Sequence, residues 1–378
     1  MAKSTEPDTK LSVLILSPHP SVPGGVSFFV ETLKAHFRHC RATSVWVGQP
    51  AEKNETLVSK LVRLVFLPVR VAWLVHRKKF DVVHINPSLD LKAVVRDGLV
   101  LVALRLIGYS RVLVYVHGWR KDTAENLRKP IFHAVFLWLM GGVARVTVLA
   151  PEFKDALVSL GVEPQKIIFT TTLFDGDALK CADDEAKPQR RSILFLSRFE
   201  IEKGIYELLE AFARLATDYP DCDLVFAGGG EEKSGLEKKV EALGLSQRVL
   251  FPGYVTGQDK ARVLNQCALF ALPTRYGEGM PVAILEALGA GKALLTTGVG
   301  GISAIVREPE NGIVLEQVSV DAIEKALRQL LDNPDLCSQI GQRNKAYAYG
   351  QFEAAVVTEK METMYQDIAG RELTAVPD

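Results

Sequence analysis

The chain has no surplus of charge of either sign: 45 Lys and Arg balance 45 Asp and Glu over 378 residues. Nothing global therefore argues for nucleic acid as a partner. Cysteine is sparse and scattered; Cys40, Cys181, Cys222, Cys267 and Cys337 are odd in number and form no Cys-x-x-Cys pair. That pattern argues against a disulfide framework or a thiolate zinc site and fits reduced thiols in a cytoplasm. Long apolar runs are missing too. The longest uncharged one, Pro130 to Ala144, is shorter than the about 18 residues a membrane span needs, and it contains His133. The N-terminal MAKSTEPDTK lacks the apolar core of a signal peptide, so a cytoplasmic location is expected. What the chain does have is 48% hydrophobic and 24% charged residues, the balance of an α/β protein with large cores, and a length that suits two domains.

The most informative stretch is Thr274 to Lys292, TRYGEGMPVAILEALGAGK. A short apolar run, Ala268 to Leu272, predicts a buried strand before it. Gly277, Glu278 and Gly279 then form a close-approach loop, and Pro281 falls where a helix would begin, its missing N–H being an orphan there in any case. Strand, glycine loop and helix N-terminus together make an anion site suited to a diphosphate. Glu278 and Glu286 bracket it. Either they take hydroxyls of groups flanking the diphosphate, or Glu278 is a capping carboxylate and Glu286 a solvated one.

With its spacing, its glycines and its proline, Glu278-Gly-Met-Pro-x4-Glu286 resembles the E-x7-E element of retaining, nucleotide-sugar-dependent glycosyltransferases of the GT-B fold, in particular family 4. The resemblance covers nearly the whole chain, most specifically 192–315. It implies an α/β fold of two Rossmann-like domains with a cleft between them. The boundaries expected are 1–173 for an acceptor domain, 174–191 for a linker, 192–345 for a nucleotide-sugar domain, and 346–378 for a helix crossing back to the first domain. The alternatives are a nucleotide-sugar epimerase or a non-catalytic nucleotide-sugar-binding protein of the same fold.

Around that stretch, SILFLS (192–197) predicts a strand leading through Arg198 and Lys203 into a helix. Arg suits bidentate phosphate contact and Lys gives a compact charge, though both also occur as plain surface cations. The resemblance implies donor-phosphate binding for both, with Ser197 in place of the usual Gly. It likewise implies that Tyr254 lies on a nucleobase-facing segment, that Gly279, Met280 and Pro281 belong to the donor loop, that Glu278 orients the sugar, and that Glu286 binds ribose hydroxyls. The family's Pro-Glu after Gly-Gly-Ile is Ser303-Ala304 here. Asp221-Cys-Asp223 matches a D-x-D pattern but precedes its strand, at the wrong edge for ligands, so no metal is expected. No cofactor is expected beyond the nucleoside-diphosphate sugar as co-substrate.

In the first half, LSVLILS (11–17) reads as a buried parallel strand, and Gly24 and Gly25 close the loop after it before an amphipathic helix. By itself that is a tight turn or a ligand loop. His117 ends the strand RVLVYVH (111–117), where a lone His is more often structural. The resemblance places Gly24 and Gly25 against the donor diphosphate and acceptor, and His117 against the transferred sugar. Lys60 to Lys79 is apolar and basic, with Arg63, Arg70 and Arg77 on one helical face and Leu67, Trp73 and Leu74 facing elsewhere. It is either a helix packed on the sheet with a solvated basic stripe, interrupted at Pro68, or a surface for an anionic membrane. The expected acceptor is a glycan or a lipid-linked one, with peripheral placement on the inner membrane face.

Overall fold

The computed structural model describes residues 10–22, 24–48, 56–89, 91–119, 121–180, 190–277 and 279–371. The chain divides into two compact units: Met1–Thr172 with Ala354–Asp378, and Leu173–Glu353.

Unit 1 is built on strands β1 (Leu11–Ser17), β2 (Cys40–Trp46), β3 (Val82–Ile85), β4 (Ser88–Leu89), β5 (Val112–Val116), β6 (Gly118–Trp119), β7 (Arg145–Val148) and β8 (Ile167–Phe169). Six of them form one parallel sheet in the order β2-β1-β3-β5-β7-β8, while β4 and β6 make a separate parallel pair of two residues each. The connecting helices are α1 (Gly25–Ala35), α2 (Leu57–Lys78), α3 (Leu91–Leu106), α4 (Lys121–Leu127), α5 (Pro130–Gly141) and α6 (Pro151–Ser159). The first crossover runs outward from β1 to β2, and the later ones run the other way. With right-handed crossovers this puts α1 on one face of the sheet and α2, α3, α5 and α6 on the other. Burial of the β1 run, BiBBBBB along LSVLILS, is what a strand covered on both faces needs.

Pro68 does not interrupt α2, which runs unbroken from Leu57 to Lys78. It starts on Thr56, whose side chain accepts from the Ser59 N–H at 3.2 Å. Pro68 is buried, and its helix packs on the sheet through Leu67, Val71 and Val75, which outweighs the one backbone bond lost.

The final helix, α14 (Ala354–Ala369), belongs to unit 1. Glu362 accepts from the backbone N–H groups of Arg38 and His39 at 3.0 and 2.7 Å, and the Tyr365 hydroxyl meets His84 Nδ1 at 2.7 Å.

Unit 2 repeats the plan with β9 (Arg191–Leu196), β10 (Cys222–Ala227), β11 (Val249–Gly253), β12 (Leu269–Leu272), β13 (Ala293–Thr297) and β14 (Gly312–Leu315). Their order is β11-β10-β9-β12-β13-β14, all parallel, the dinucleotide-binding arrangement. Its helices are α7 (Gly176–Lys180), α8 (Ile205–Leu215), α9 (Lys233–Ala242), α10 (Gly257–Gln266), α11 (Val282–Gly289), α12 (Val320–Leu331) and α13 (Pro334–Gln351). Residues 174–180, which sequence composition assigned to a linker, are packed structure. Phe174 is fully buried against Gly289, Asn265 Nδ2 donates to the Leu179 carbonyl at 2.9 Å, and the Tyr349 hydroxyl donates to the Gly176 carbonyl at 3.0 Å. The polar composition of 174–191 concealed two apolar anchors, Phe174 and Leu179. The remainder of that stretch, 181–189, lies outside the described residues.

Candidate active site

Open parallel sheets bind ligands beyond the carboxyl ends of the two strands where the strand order reverses. In unit 2 those strands are β9 and β12. The loop after β9 carries Arg198 and Lys203; the loop after β12 is the glycine stretch leading into α11.

Backbone contacts stitch these two loops together. The Arg275 N–H donates to the Glu202 carbonyl at 2.6 Å, and the Thr274 hydroxyl donates to the same carbonyl at 3.4 Å. Gly204, at φ 72, has the left-handed backbone that ends the Ile201–Lys203 turn, and a Cβ there would overlap the Pro273 carbonyl oxygen. Gly204 thus serves two needs at once: the turn and the close approach. From the other side the Thr297 hydroxyl donates to the Thr274 carbonyl at 2.6 Å.

Arg198 is exposed, and its guanidinium pairs with Glu200 at 2.6 Å. The neighbouring Phe199 is fully buried and holds the loop down. Its ring lies 6.2 Å from Phe195 and 6.1 Å from Phe226, an aromatic floor worth about 0.5–1.5 kcal/mol per pair beyond its buried area. Lys203 is only 2% exposed, with its ammonium 4.5 Å from the centre of the Tyr276 ring. The two cations thus differ in kind: one reaches into solvent, the other is set into the protein beside an aromatic face.

Helix α11 begins at Val282, with Pro281 as its cap residue rather than its first turn, and no acidic side chain occupies that turn. Met280 is buried, Gly279 half-buried, and Glu278 lies outside the described residues. Glu286 is 4% exposed and paired with Lys260 of α10. Burial raises its carboxyl pKa, and the Lys260 ammonium opposes that rise. A solvated Glu286 is therefore ruled out. Sequence reading missed Lys260, whose helix it did not identify; nothing in the spacing of GQDKARVLNQ singles out that lysine. Tyr254 is 67% exposed, just beyond β11.

Two other motifs resolve into structure. Asp223 is taken by Arg190 and Arg248 at 2.7 and 3.0 Å, and Asp221 by Arg191 at 2.7 Å, all at the amino edge of the sheet. The Ser303 hydroxyl donates to the Gly300 carbonyl at 2.8 Å, closing its own turn.

In unit 1 the order reverses between β1 and β3. Beyond β1, Gly24 and Gly25 open α1, and among the described residues, chain neighbours and the helix's own backbone aside, no atom lies within 4 Å of a Cβ built on either. Beyond β3 stands Asn86, 4% exposed, and beyond β5 stands His117. Asn86 Nδ2 donates to the Leu16 carbonyl at 3.1 Å, which turns its Oδ1 toward His117 Nε2 at 2.9 Å. An amide oxygen only accepts, so Nε2 carries the proton and Nδ1 keeps the lone pair. Burial lowers the His117 pKa to about 3, so the ring is neutral. It packs against Tyr115 and Phe29 at 4.6 and 5.1 Å between ring centres. The arrangement is a neutral acceptor in a fixed tautomer beside an open glycine turn. Asn86 was missed; its only sequence signal is its place at the end of the apolar run FDVVHIN (80–86).

Two doubly wound units of this kind define the GT-B fold. A structure of Anabaena Alr3699/HepE with bound UDP superposes with a TM-score of 0.76 over 94% of this chain and 100% of that one, at 16% identity. Residues 181–347 match the family Glycosyl transferases group 1. An α-D-kanosaminyltransferase of Streptomyces kanamyceticus is 25% identical over 60% of this chain and 61% of its own length. A phosphatidyl-myo-inositol mannosyltransferase of Mycobacterium leprae is 25% identical over 92% of this chain and 94% of its own. The chain spans between 45% and 61% of the length of the first curated relatives it matches.

Proposed function

We propose that the protein is a retaining glycosyltransferase that moves a sugar from a nucleoside-diphosphate sugar to a glycan or lipid-linked acceptor. The observation that carries this reading is the switch point of unit 2. There Arg198, Lys203 and the N-terminus of α11 gather on two stitched loops, with the buried carboxylate of Glu286 a turn further on. Departure of a nucleoside diphosphate develops negative charge on its phosphates, and the two cations with the helix N-terminus stabilise that charge. With two cations in place, metal-independent transfer follows. Glu278 orients the transferred sugar, Glu286 takes ribose hydroxyls, and Tyr254 with Gly279, Met280 and Pro281 borders the nucleotide. In unit 1, Gly24 and Gly25 give a flat approach for diphosphate and acceptor, and His117 Nδ1 accepts from a sugar hydroxyl. The names of the relatives support sugar transfer, and a neighbour solved with UDP-glucose supports a sugar nucleotide as donor. Assembly of cell-surface polysaccharide or lipopolysaccharide at the cytoplasmic membrane face is the setting we assign.

The test is thermal stabilisation by a panel of nucleoside diphosphates and sugar nucleotides, on wild type and Glu286→Gln. Ligand that binds the native state raises the melting temperature by mass action. A shift with one sugar nucleotide, weakened in the variant, supports the donor pocket. Turnover of that donor that survives EDTA, with the product's anomeric configuration kept, supports the mechanism. No shift with any of them defeats the reading; a shift without transfer to any acceptor favours a binding protein instead.

A further inference from the structure

We infer that the outer face of the helical layer α2–α3–α5 in unit 1 is a docking surface for an anionic lipid bilayer. Each of these helices is apolar on both sides. Their inner faces supply Leu67, Val71, Val75, Leu104, Phe136 and Leu139 to the core of unit 1. Their outer faces are bare where polar side chains would be ordinary. On α2, Val65, Phe66, Val69 and Trp73 are 57–64% exposed. On α5, Ile131 and Phe132 are 79% and 59% exposed, with Val135 and Trp138 beside them. On α3, between the two, Val95, Leu99 and Leu106 are exposed. Single exposed apolar residues need no explanation, but exposed apolar residues on three neighbouring helices do.

Charge identifies the occupant. From Thr56 to Phe80 the sequence has Lys60, Arg63, Arg70, Arg77, Lys78 and Lys79 and no acid. In α2, α3 and α5 together the one acidic residue is Asp97, buried and paired with Arg96 at 2.7 Å. Trp73 shares the outer face with the arginines, against the expectation that it faces elsewhere. The Arg77 guanidinium lies 5.6 Å from its ring centre, and Arg105 of α3 lies 4.6 Å from Trp138 of α5. Aromatic rings and long cations sharing one apolar face suit a headgroup boundary, where rings sit at the interface and guanidinium groups reach phosphates. A groove of about 400 Å³ lined by Phe66, Arg70 and Trp73 of α2 and by Trp46 of β2 opens beside α2. A second copy fits it badly. A two-fold contact sets the patch against itself, and none of its three helices offers an exposed acid to answer the arginines. Among the described residues no helix is long and apolar enough to cross a membrane, so the contact is with the bilayer surface. The inference is independent of the donor chemistry proposed above, and its test reads binding alone.

The experiment is flotation of the full chain with vesicles of phosphatidylcholine, and of phosphatidylcholine mixed with phosphatidylglycerol, at low and high salt. The chain is expected to float with the anionic vesicles only, and less at high salt. Replacing Arg70 and Arg77 by Ala should lower partition about fivefold for each arginine removed. The Ile131→Ser, Phe132→Ser variant of α5 should lower it about tenfold per side chain. All four positions are exposed, so unchanged melting temperatures will show that the variants fold. No flotation with anionic vesicles overturns the proposal. So does flotation indifferent to the α5 pair, which would leave α2 acting alone, or a salt-resistant dimer in sedimentation that the same substitutions dissociate.

Discussion

The two switch points use the same topology and hold opposite chemistry. In unit 2 the loops beyond β9 and β12 present Arg198 and Lys203 and are tied to each other by the Arg275 N–H and the Thr274 hydroxyl, both donating to the Glu202 carbonyl. In unit 1 the loops beyond β1, β3 and β5 present glycines, an amide and a neutral imidazole, with no cation among the residues singled out. A doubly wound sheet therefore supplies a location and little else. What a site binds depends on the few side chains at the strand ends: fixed positive charge for an anion, uncharged acceptors for hydroxyls.

The sharpest break of that contrast is to remove the exposed cation of unit 2. Arg198→Ala should lower turnover by about 10²–10³-fold, the usual loss for a preorganised donor to a developing charge, with little change in melting temperature. Retained turnover would mean that the charge at this switch point is incidental. Next comes the stitching. Gly204→Ala places a Cβ against the Pro273 carbonyl at a left-handed backbone position, so a loss of about 2 kcal/mol in urea unfolding is expected, together with weaker donor binding. A variant as stable as wild type would show that the two loops part easily.

The complementary break is in unit 1. Asn86→Ala frees the His117 tautomer and should cost on the order of tenfold in turnover, one hydrogen bond's worth, while leaving nucleotide binding unchanged. Asn86→Asp puts a carboxylate beside Nε2 and should raise the ring's pKa, so that the acid limb of the pH–rate profile moves up. An unmoved profile would remove His117 from the reaction.

A last contrast concerns stability. Burial, then neighbouring His117, lowers the His84 pKa to about 3. The unfolded imidazole titrates near 6.5, so the unfolded chain takes up the proton first as pH falls. Stability from the neutral ring is complete above that value and is lost as pH falls toward 3, at up to roughly 1.4 kcal/mol per pH unit. His84→Gln should flatten the dependence of unfolding free energy on pH between 7 and 5, and an unchanged slope would falsify the assignment.

Much of this was legible in the sequence, and what was missed has a common cause. Unbroken apolar runs such as LSVLILS and SILFLS announce buried parallel strands, because a strand covered on both faces has no polar side to show. The glycine loop and proline ahead of α11 announce a helix N-terminus for the same local reason. The errors lie where packing decides. Pro68 reads as a break and sits inside an unbroken helix, because neighbouring contacts exceed one lost hydrogen bond. Residues 174–180 read as a linker by composition and are pinned by Phe174 and Leu179. Trp73 was assigned to the wrong face, since periodicity fixes which residues share a stripe but not which stripe the sheet covers.

The sequence by itself determined the alternation of strands and helices, the two ligand-edge glycine turns and the identity of the charged groups at the second of them. These depend on neighbours within a few residues along the chain. Only the tertiary structure decided that Lys260 answers a buried Glu286, that Asn86 sets the His117 tautomer, that Gly204 lets two loops touch, and that three apolar helix faces form one basic-edged surface. Each of those joins residues tens of positions apart, and their partnership exists only once the crossovers bring strand ends and helix faces side by side.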